Sequence, residues 1–228
     1  MIKRSLNYWS QETCLSALLV VMIVRFFVLV PLTGGGVIVG FIADVVFFLF
    51  LLAGGLAMGR HRLYRFSFGA FMVISIIMRA ARALFDFNAL KAWDFIFSTV
   101  AILIILIVIL RMVYQEGPVT AHRIRGSVAA YVLIGVLFGK IYGIIYYFVP
   151  DAFNIASTID QSFEAMGEVL FYFSVVTLAT VGYGDITPAV PLARSFVMCE
   201  AFVGPLYPAI LIARLVSLSL VGKMENKR

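Results

Sequence analysis

The chain has 228 residues, of which 63% are hydrophobic and 13% charged, with a net charge of +6 and a mean hydropathy of +1.04. A soluble globular domain could not cover so much apolar surface with polar groups, so the composition excludes that class of protein. The basic balance reflects the sidedness of Lys and Arg described below, and it does not indicate a nucleic-acid partner.

Six segments are apolar enough to cross a membrane as helices, each of which needs roughly 20 residues. They are residues 12–32, 37–58, 66–85, 95–114, 127–149 and 193–221. A shorter apolar run at 163–177 would be about 22 Å long as a helix, which is too short to span and predicts a re-entrant helix. The predicted fold is therefore an all-α membrane protein with six transmembrane helices and one re-entrant helix.

The distribution of Lys and Arg predicts the orientation of these helices. Nearly all basic residues between or beside the spans fall on one side: Lys3, Arg4, Arg60, Arg62, Arg65, Arg111, Arg123, Arg125, Lys223, Lys227 and Arg228. That side is predicted to be cytoplasmic, with both termini inside, in a multi-pass protein of the plasma (inner) membrane of the cell. The basic cluster at 122–125 makes anionic lipid a candidate partner at the inner surface, although the orientation rule alone would account for it.

Three charged residues lie inside the first three predicted spans, at a common depth of about 10 Å below the outer surface: Arg25, Asp44 and Arg79. A charge in hydrocarbon needs a partner, so Asp44 is predicted to pair with Arg25, Arg79 or both. The alternative is that each arginine reaches outward to the interface separately. The fourth span has one arginine, Arg111, where voltage sensing needs several at regular spacing, so residues 1–114 are predicted to be a scaffold rather than a strong sensor.

The most specific motif follows the short apolar run and reads Thr180-Val181-Gly182-Tyr183-Gly184-Asp185. Loops of this kind strip the water from K⁺, because rings of backbone carbonyl oxygens from four loops replace its hydration shell. Gly182 and Gly184 supply backbone conformations that other residues avoid. The motif predicts a selectivity filter.

With this motif the chain resembles the potassium channel superfamily, and more narrowly its small prokaryotic members with six membrane helices. The resemblance covers about residues 160–220, while the first 115 residues match only in hydropathy pattern. It implies a homotetrameric, K⁺-selective pore with K⁺ bound by Thr180, Val181, Gly182, Tyr183 and Gly184, no organic cofactor, and Asp185 at the outer mouth. The implied organisation is a four-helix domain at 1–114, a linker at 115–126, a pore domain at 127–221 (helix 127–149, pore helix 163–177, filter 180–185, inner helix 193–221) and a cytoplasmic tail at 222–228.

Two positions raise particular expectations. Val176 stands where some relatives carry a Glu that pairs with the outer carboxylate, so Asp185 is predicted to be supported by aromatic residues of the pore helix instead. Gly204, Pro205 and Pro208 resemble a gating hinge in the inner helix, because each proline removes a helix hydrogen bond. A static packing kink is the alternative. Glu200 lies in the same span and is predicted to give structural support behind the filter.

The leading prediction is a K⁺ channel that is not strongly voltage-gated, with lipid, pH, tension, weak voltage or a constitutive leak all open as the gating stimulus. Two other functions remain open as alternatives to it. One is a voltage-gated channel whose gating charges are Arg79 and Arg82 on the third span. The other is a non-conducting membrane subunit with a channel-like pore, which the intact filter motif disfavours. The sequence contains no Walker loop, metal-ligand cluster or nucleophile–base arrangement, so the protein is predicted not to be an enzyme.

Overall fold

The structure is a computed structural model that describes residues 19–24, 69–70, 73–74, 77, 88–115, 120–156 and 163–225. The second predicted span lies outside these ranges, as do most of the first and the third. Arg25, Asp44 and Arg79 are also outside them, and their pairing stays a prediction.

Four helices and two short strands follow one another along this part of the chain: α1 (Asn88–Val113), α2 (Ala121–Phe148), β1 (Phe153–Ile155), α3 (Phe163–Leu178), β2 (Ile186–Pro188) and α4 (Pro191–Glu225). Within the described residues, three stretches are long and apolar enough to cross a membrane: Ile96–Val113, Arg123–Phe148 and Pro191–Leu218. They match the fourth, fifth and sixth predicted spans. A mostly helical membrane protein is thus confirmed, whereas the total of six spans and the re-entrant placement of α3 stay predictions.

The helices are longer than the apolar segments from which they were predicted. α2 begins at residue 121 rather than at 127, so the linker predicted at 115–126 is shorter than expected. Thr120 caps this helix in an extended conformation, and its hydroxyl accepts a hydrogen bond from the backbone N–H of Arg123 at 3.4 Å. α1 likewise begins at Asn88 and α4 ends at Glu225. Hydropathy marks the part of a helix that suits the membrane, and the polar turns beyond it leave no such signal.

The two strands correct the prediction of an all-α fold in one detail. β1 and β2 pair in antiparallel register, with Asn154 opposite Thr187, although the sequence predicts no strand. The N–H of Ala156 and the carbonyl of Ala152 continue the pairing on either side. Strands of three residues are too short to show an alternating pattern, and they form here because they satisfy backbone groups between two helices. The pairing fixes the loop before β2 relative to the end of α2.

α2 is the central helix and contacts α1, α3 and α4. Its backbone approaches α3 closely at Gly139, where a Cβ atom would lie 2.9 Å from the Cα of Phe171. About one turn further along α2, the ring of Tyr142 packs with those of Phe153 and Phe173 in a compact aromatic cluster, with centroids 5.3–5.7 Å apart. Small residues at such a crossing let membrane helices gain van der Waals contact. The crossing fixes α3, and with it the loop that follows.

α4 packs at the periphery of the described helices and remains helical through Pro205 and Pro208. Much of its apolar surface is uncovered; the side chains of Phe202 and Ile212 are 70% and 61% exposed in the single chain. An apolar helical surface of this size must be covered by lipid or by protein. Toward its carboxyl end, Arg214 donates to the backbone carbonyl of Tyr114, just beyond α1, and its guanidinium lies 4.7 Å from the Tyr114 ring centroid. These contacts join the last helix to the end of α1 in the same chain.

Candidate functional site

The predicted filter residues lie in an exposed loop between the end of α3 and the start of β2. Val181 and Tyr183 are 52% and 71% exposed. Three alternate residues of the loop have positive φ: Thr180 at 59°, Gly182 at 58° and Gly184 at 82°. Glycine adopts this region readily, so the φ angles confirm why the motif needs glycine at these two positions.

Thr180 is the exception, because a β-branched residue rarely has positive φ. Such a conformation costs about 1–3 kcal/mol and persists only where surrounding contacts impose it. Here the Thr180 N–H donates to the carbonyl of Thr177 at 2.9 Å, which holds the chain in a tight turn directly after α3. Strain at a position that the sequence assigns to a site supports a functional constraint there.

Backbone hydrogen bonds determine which way the first peptide groups of the loop face. The N–H groups of Val181 and Gly182 both point at one acceptor, the carbonyl of Val176, at 2.9 and 3.4 Å. In a trans peptide the N–H and the preceding C=O point in opposite directions. The carbonyls of Thr180 and Val181 therefore face away from α3, toward the uncovered side of the loop.

The alternating φ values explain how several carbonyls can share that side. When successive residues have backbone conformations of opposite handedness, their N–H groups point into one concavity. The carbonyls of the same peptide groups then point to the opposite side of the loop. Here the concavity holds the Val176 oxygen, and its reverse is the exposed face of the loop. A β-strand would instead turn alternate carbonyls to opposite sides. The loop thus presents the Thr180 and Val181 oxygens on one exposed face. Carbonyl oxygens are the groups that replace the hydration shell of a dehydrated monovalent cation.

Asp185 lies at the carboxyl end of the loop, directly before β2. The phenol of Tyr172 on α3 donates to its Oδ2 at 2.8 Å, and the Ile186 N–H donates to its Oδ1 at 3.1 Å. The predicted support of Asp185 by an aromatic residue of the short helix is confirmed. This hydrogen bond raises the pKa of Tyr172 above its ordinary value, so the phenol stays a donor throughout the neutral range.

Replacing Tyr172 with phenylalanine should loosen the loop at Asp185. We expect a loss of about 1 kcal/mol in stability, the usual net worth of one hydrogen bond, measured by thermal unfolding of the purified protein. The same substitution in an Asp185→Ala background should have almost no further effect, because the acceptor is already gone. Additive effects of the two substitutions would show that the bond does not hold the loop.

Glu200 is completely buried on α4 and connects three helices. Its Oε2 accepts from the hydroxyl of Tyr142 on α2, and its Oε1 lies 2.5 Å from the hydroxyl oxygen of Ser174 on α3. The structural role predicted for Glu200 is confirmed by these contacts. Sequence reasoning did not identify Tyr142 and Ser174 as its partners; the only available signal was that hydroxyls inside apolar helices require partners.

The predicted hinge residues lie where α4 crosses the end of α3. Gly204 is buried, and a Cβ atom there would collide with the carbonyl oxygen of Leu178, which also accepts from the Tyr131 hydroxyl at 3.1 Å. The structure therefore gives Gly204 a packing role, as the place where two backbones touch. Bending at Pro205 and Pro208 stays a prediction.

Comparison with known proteins adds an independent observation for this half of the chain. Residues 134–219 match the family described as Ion channel (Ion_trans_2). The chain is similar to a two pore potassium channel c of Oryza sativa subsp. japonica, with 48% identity over 46 residues, which is 20% of this chain and 10% of the relative. It is also similar to Protein LctB of Geobacillus stearothermophilus, with 42% identity over 52 residues, or 23% of this chain and 38% of the relative.

Both alignments thus cover much less than two thirds of either relative, and no solved structure matches the chain significantly. The family match spans α3, the exposed loop and most of α4, together with the second half of α2. An ion channel domain also fits the prediction that the protein is not an enzyme. The carboxy-terminal part of this membrane protein is therefore similar to an ion channel domain over residues 134–219.

Proposed function

We propose that the protein is a K⁺-selective channel in which four identical chains each contribute one 180–185 loop. The observation that carries this proposal is the direction of the Thr180 and Val181 carbonyls, which face away from α3 on an exposed, strained backbone. One loop cannot surround an ion, but four loops around an axis would offer rings of oxygens. Such rings substitute for the hydration of K⁺ better than for that of Na⁺.

The helix before the loop adds an electrostatic contribution. α3 ends at Leu178, two residues before Thr180, and the carboxyl end of a helix carries a partial negative charge. Directed toward the axis, four such ends would lower the energy of a cation at the inner end of the filter. Asp185, held by Tyr172, would raise the local concentration of cations at the other end.

The exposed surface of α4 supports the tetramer. Side chains such as Phe202, Leu206 and Ile210 are more than half exposed in the single chain, although they belong to an apolar helix. In the proposed assembly this helix lines the inner pore and contacts the neighbouring chain. We place the protein in the plasma (inner) membrane with cytoplasmic termini, and anionic lipids at its inner surface are the proposed partners besides its own copies.

Potassium is the proposed cargo because of the loop chemistry, and the name of the rice relative agrees with it. Strong voltage gating is not proposed. α1, which corresponds to the fourth predicted span, carries one arginine, Arg111, in its last turn. A unit charge that crosses the whole transmembrane field contributes about 2.3 kcal/mol per 100 mV. A charge at the membrane boundary crosses only a small part of that field and contributes much less.

Ion flux through the purified protein in liposomes tests the proposal. We expect K⁺ flux that far exceeds Na⁺ flux and is blocked by barium, together with a particle mass of four chains. Tyr183→Ala should reduce the preference for K⁺, because the ring is proposed to brace the filter, while Cys199→Ser on the exposed surface of α4 should not.

Equal K⁺ and Na⁺ flux through the wild-type protein would contradict the proposed selectivity. Flux that is unaffected by Tyr183→Ala and insensitive to barium would show that the ions take another path. Absence of flux across lipids and pH values would favour the non-conducting alternative.

A further inference from the structure

Glu200, Tyr142 and Ser174 form a buried polar cluster in which the number of hydrogen atoms can be counted. The Tyr142 hydroxyl has one hydrogen, and it points at Glu200 Oε2 at 2.5 Å. Ser174 also has one hydrogen, yet its oxygen lies 2.7 Å from the carbonyl oxygen of Gly135 and 2.5 Å from Glu200 Oε1. Both distances are those of O–H···O hydrogen bonds.

One serine hydrogen cannot serve two acceptors at once. The Gly135 carbonyl has no hydrogen to donate, so the serine hydrogen must lie between these two oxygens. The remaining contact, between the serine oxygen and Glu200, then needs a hydrogen from the carboxyl group. An ionised Glu200 would leave two lone-pair-bearing oxygens in close contact without a hydrogen between them, which is repulsive.

The surroundings of Glu200 favour the same state. It is fully buried within a stretch suited to the membrane, where an ionised carboxylate without a cation is costly. Among the described residues, the phenols of Tyr142 and Tyr131 on α2 interact with Glu200, and α3 contributes the Ser174 hydroxyl. Both phenols are neutral in their ordinary form. No hydrogen-bond partner of Glu200 in the described ranges carries a positive charge.

We propose that Glu200 is held as a neutral carboxylic acid and acts as a positioning residue for the filter, joining α4 to α3 and α2 through one relay of hydrogen bonds. The relay runs from Glu200 to the Ser174 oxygen and from Ser174 to the Gly135 carbonyl, with Tyr142 donating to the other carboxyl oxygen. The positioning role rests on the proposed channel function, whereas the neutral state of Glu200 does not.

The position of the relay explains how it would affect the filter. Ser174 lies six residues before Thr180 on the helix that carries the loop, and Glu200 lies one turn before Gly204, where α4 touches Leu178. Glu200 and Gly204 thus fix α3 at two points along α4. Ionisation of Glu200 would remove the Glu200–Ser174 bond or force Ser174 to abandon Gly135. Either change would let the helix before the filter shift.

Infrared difference spectroscopy of the full-length protein tests the protonation state. We expect a carboxylic-acid C=O band at neutral pH that shifts in D₂O and disappears in Glu200→Gln. In Ser174→Ala the band should move to higher frequency, because the acid proton loses its acceptor. Absence of the band from the wild type, or its persistence in Glu200→Gln, would overturn the inference.

Flux measurements test the positioning role. Glu200→Gln, which replaces the acid O–H by an amide donor of similar shape, should keep the K⁺ over Na⁺ preference, whereas Glu200→Ala should lower it severalfold. Ser195→Ala is the control, since its hydroxyl bonds only within the exposed first turn of α4. Loss of the preference in Glu200→Gln with a normal Ser195→Ala would overturn the role of a neutral Glu200. A protein that conducts nothing but shows the assigned band would refute the proposed channel and leave the neutral acid standing.

Discussion

Replacing Gly204 with alanine should produce the largest loss of stability of any single substitution considered for this protein. The added methyl group would collide with the Leu178 carbonyl oxygen, and it would also stand 3.0 Å from the carbonyl carbon. Neither atom can move without displacing the end of α3. Overpacking against rigid backbone costs about 3 kcal/mol per chain, and in the proposed tetramer the cost would recur in every chain. We expect failure to purify as a stable assembly, or a much lower unfolding temperature in detergent.

Gly167→Ala is the matched control, because it makes the same chemical change in α3 where no atom of another described segment lies within 4 Å of the added Cβ. It should be neutral or slightly stabilising, since alanine is the better helix former. The same two variants also distinguish a packing role of Gly204 from a role as a hinge. If Gly204 served only as a hinge, Gly204→Ala would assemble normally and alter only the opening of the pore. That result would contradict the packing role.

Replacing Gly182 with alanine should abolish K⁺ selectivity while leaving most of the helical structure intact. The residue has φ of 58°, a region that costs roughly 1–2 kcal/mol for a residue with a Cβ atom. Within the described residues, no atom other than those of the adjacent residues lies within 4 Å of the added Cβ, so the penalty comes from backbone conformation rather than collision. The strain would fall on the peptide groups whose carbonyls are proposed to bind K⁺.

Val181→Ala is the control for this variant. Its φ is not positive and its side chain is half exposed in the single chain, so shortening it should leave the backbone direction unchanged. We expect circular dichroism to show normal helix content in both variants, and K⁺ over Na⁺ flux to be lost only in Gly182→Ala. Equal selectivity in Gly182→Ala and the wild type would show that the left-handed conformation at residue 182 is not needed.

The elements that the sequence predicts well are those whose signal is local. The 180–185 motif is contiguous, and its chemistry depends on backbone conformations that Gly182 and Gly184 make possible, so it could be interpreted without a structure. The apolar segments of α1, α2 and α4 were predictable for the same reason, because membrane length and hydropathy act on consecutive residues. Their polar ends were not, as the start of α2 at residue 121 shows.

The contacts that hold the loop are not encoded locally. Glu200 bonds to residues 26 and 58 positions away, and nothing in its neighbourhood along the chain identifies them. The sequence predicted that aromatic residues would support Asp185, but three aromatics stand together at 171–173. Only the helix geometry shows that Tyr172 faces the carboxylate. For Gly204 the motif suggested motion, and the packing of α4 on Leu178 shows a steric requirement instead.

The reversal potential of the purified protein in a planar bilayer, with K⁺ on one side and Na⁺ on the other, tests whether the 180–185 loop is a K⁺ filter. If four 180–185 loops present carbonyl rings to the ion, the reversal potential should lie close to the equilibrium potential of K⁺ and move with the K⁺ concentration. A reversal potential near zero under this gradient would mean that the pore does not distinguish the two ions, and it would contradict the filter assigned to Thr180–Asp185.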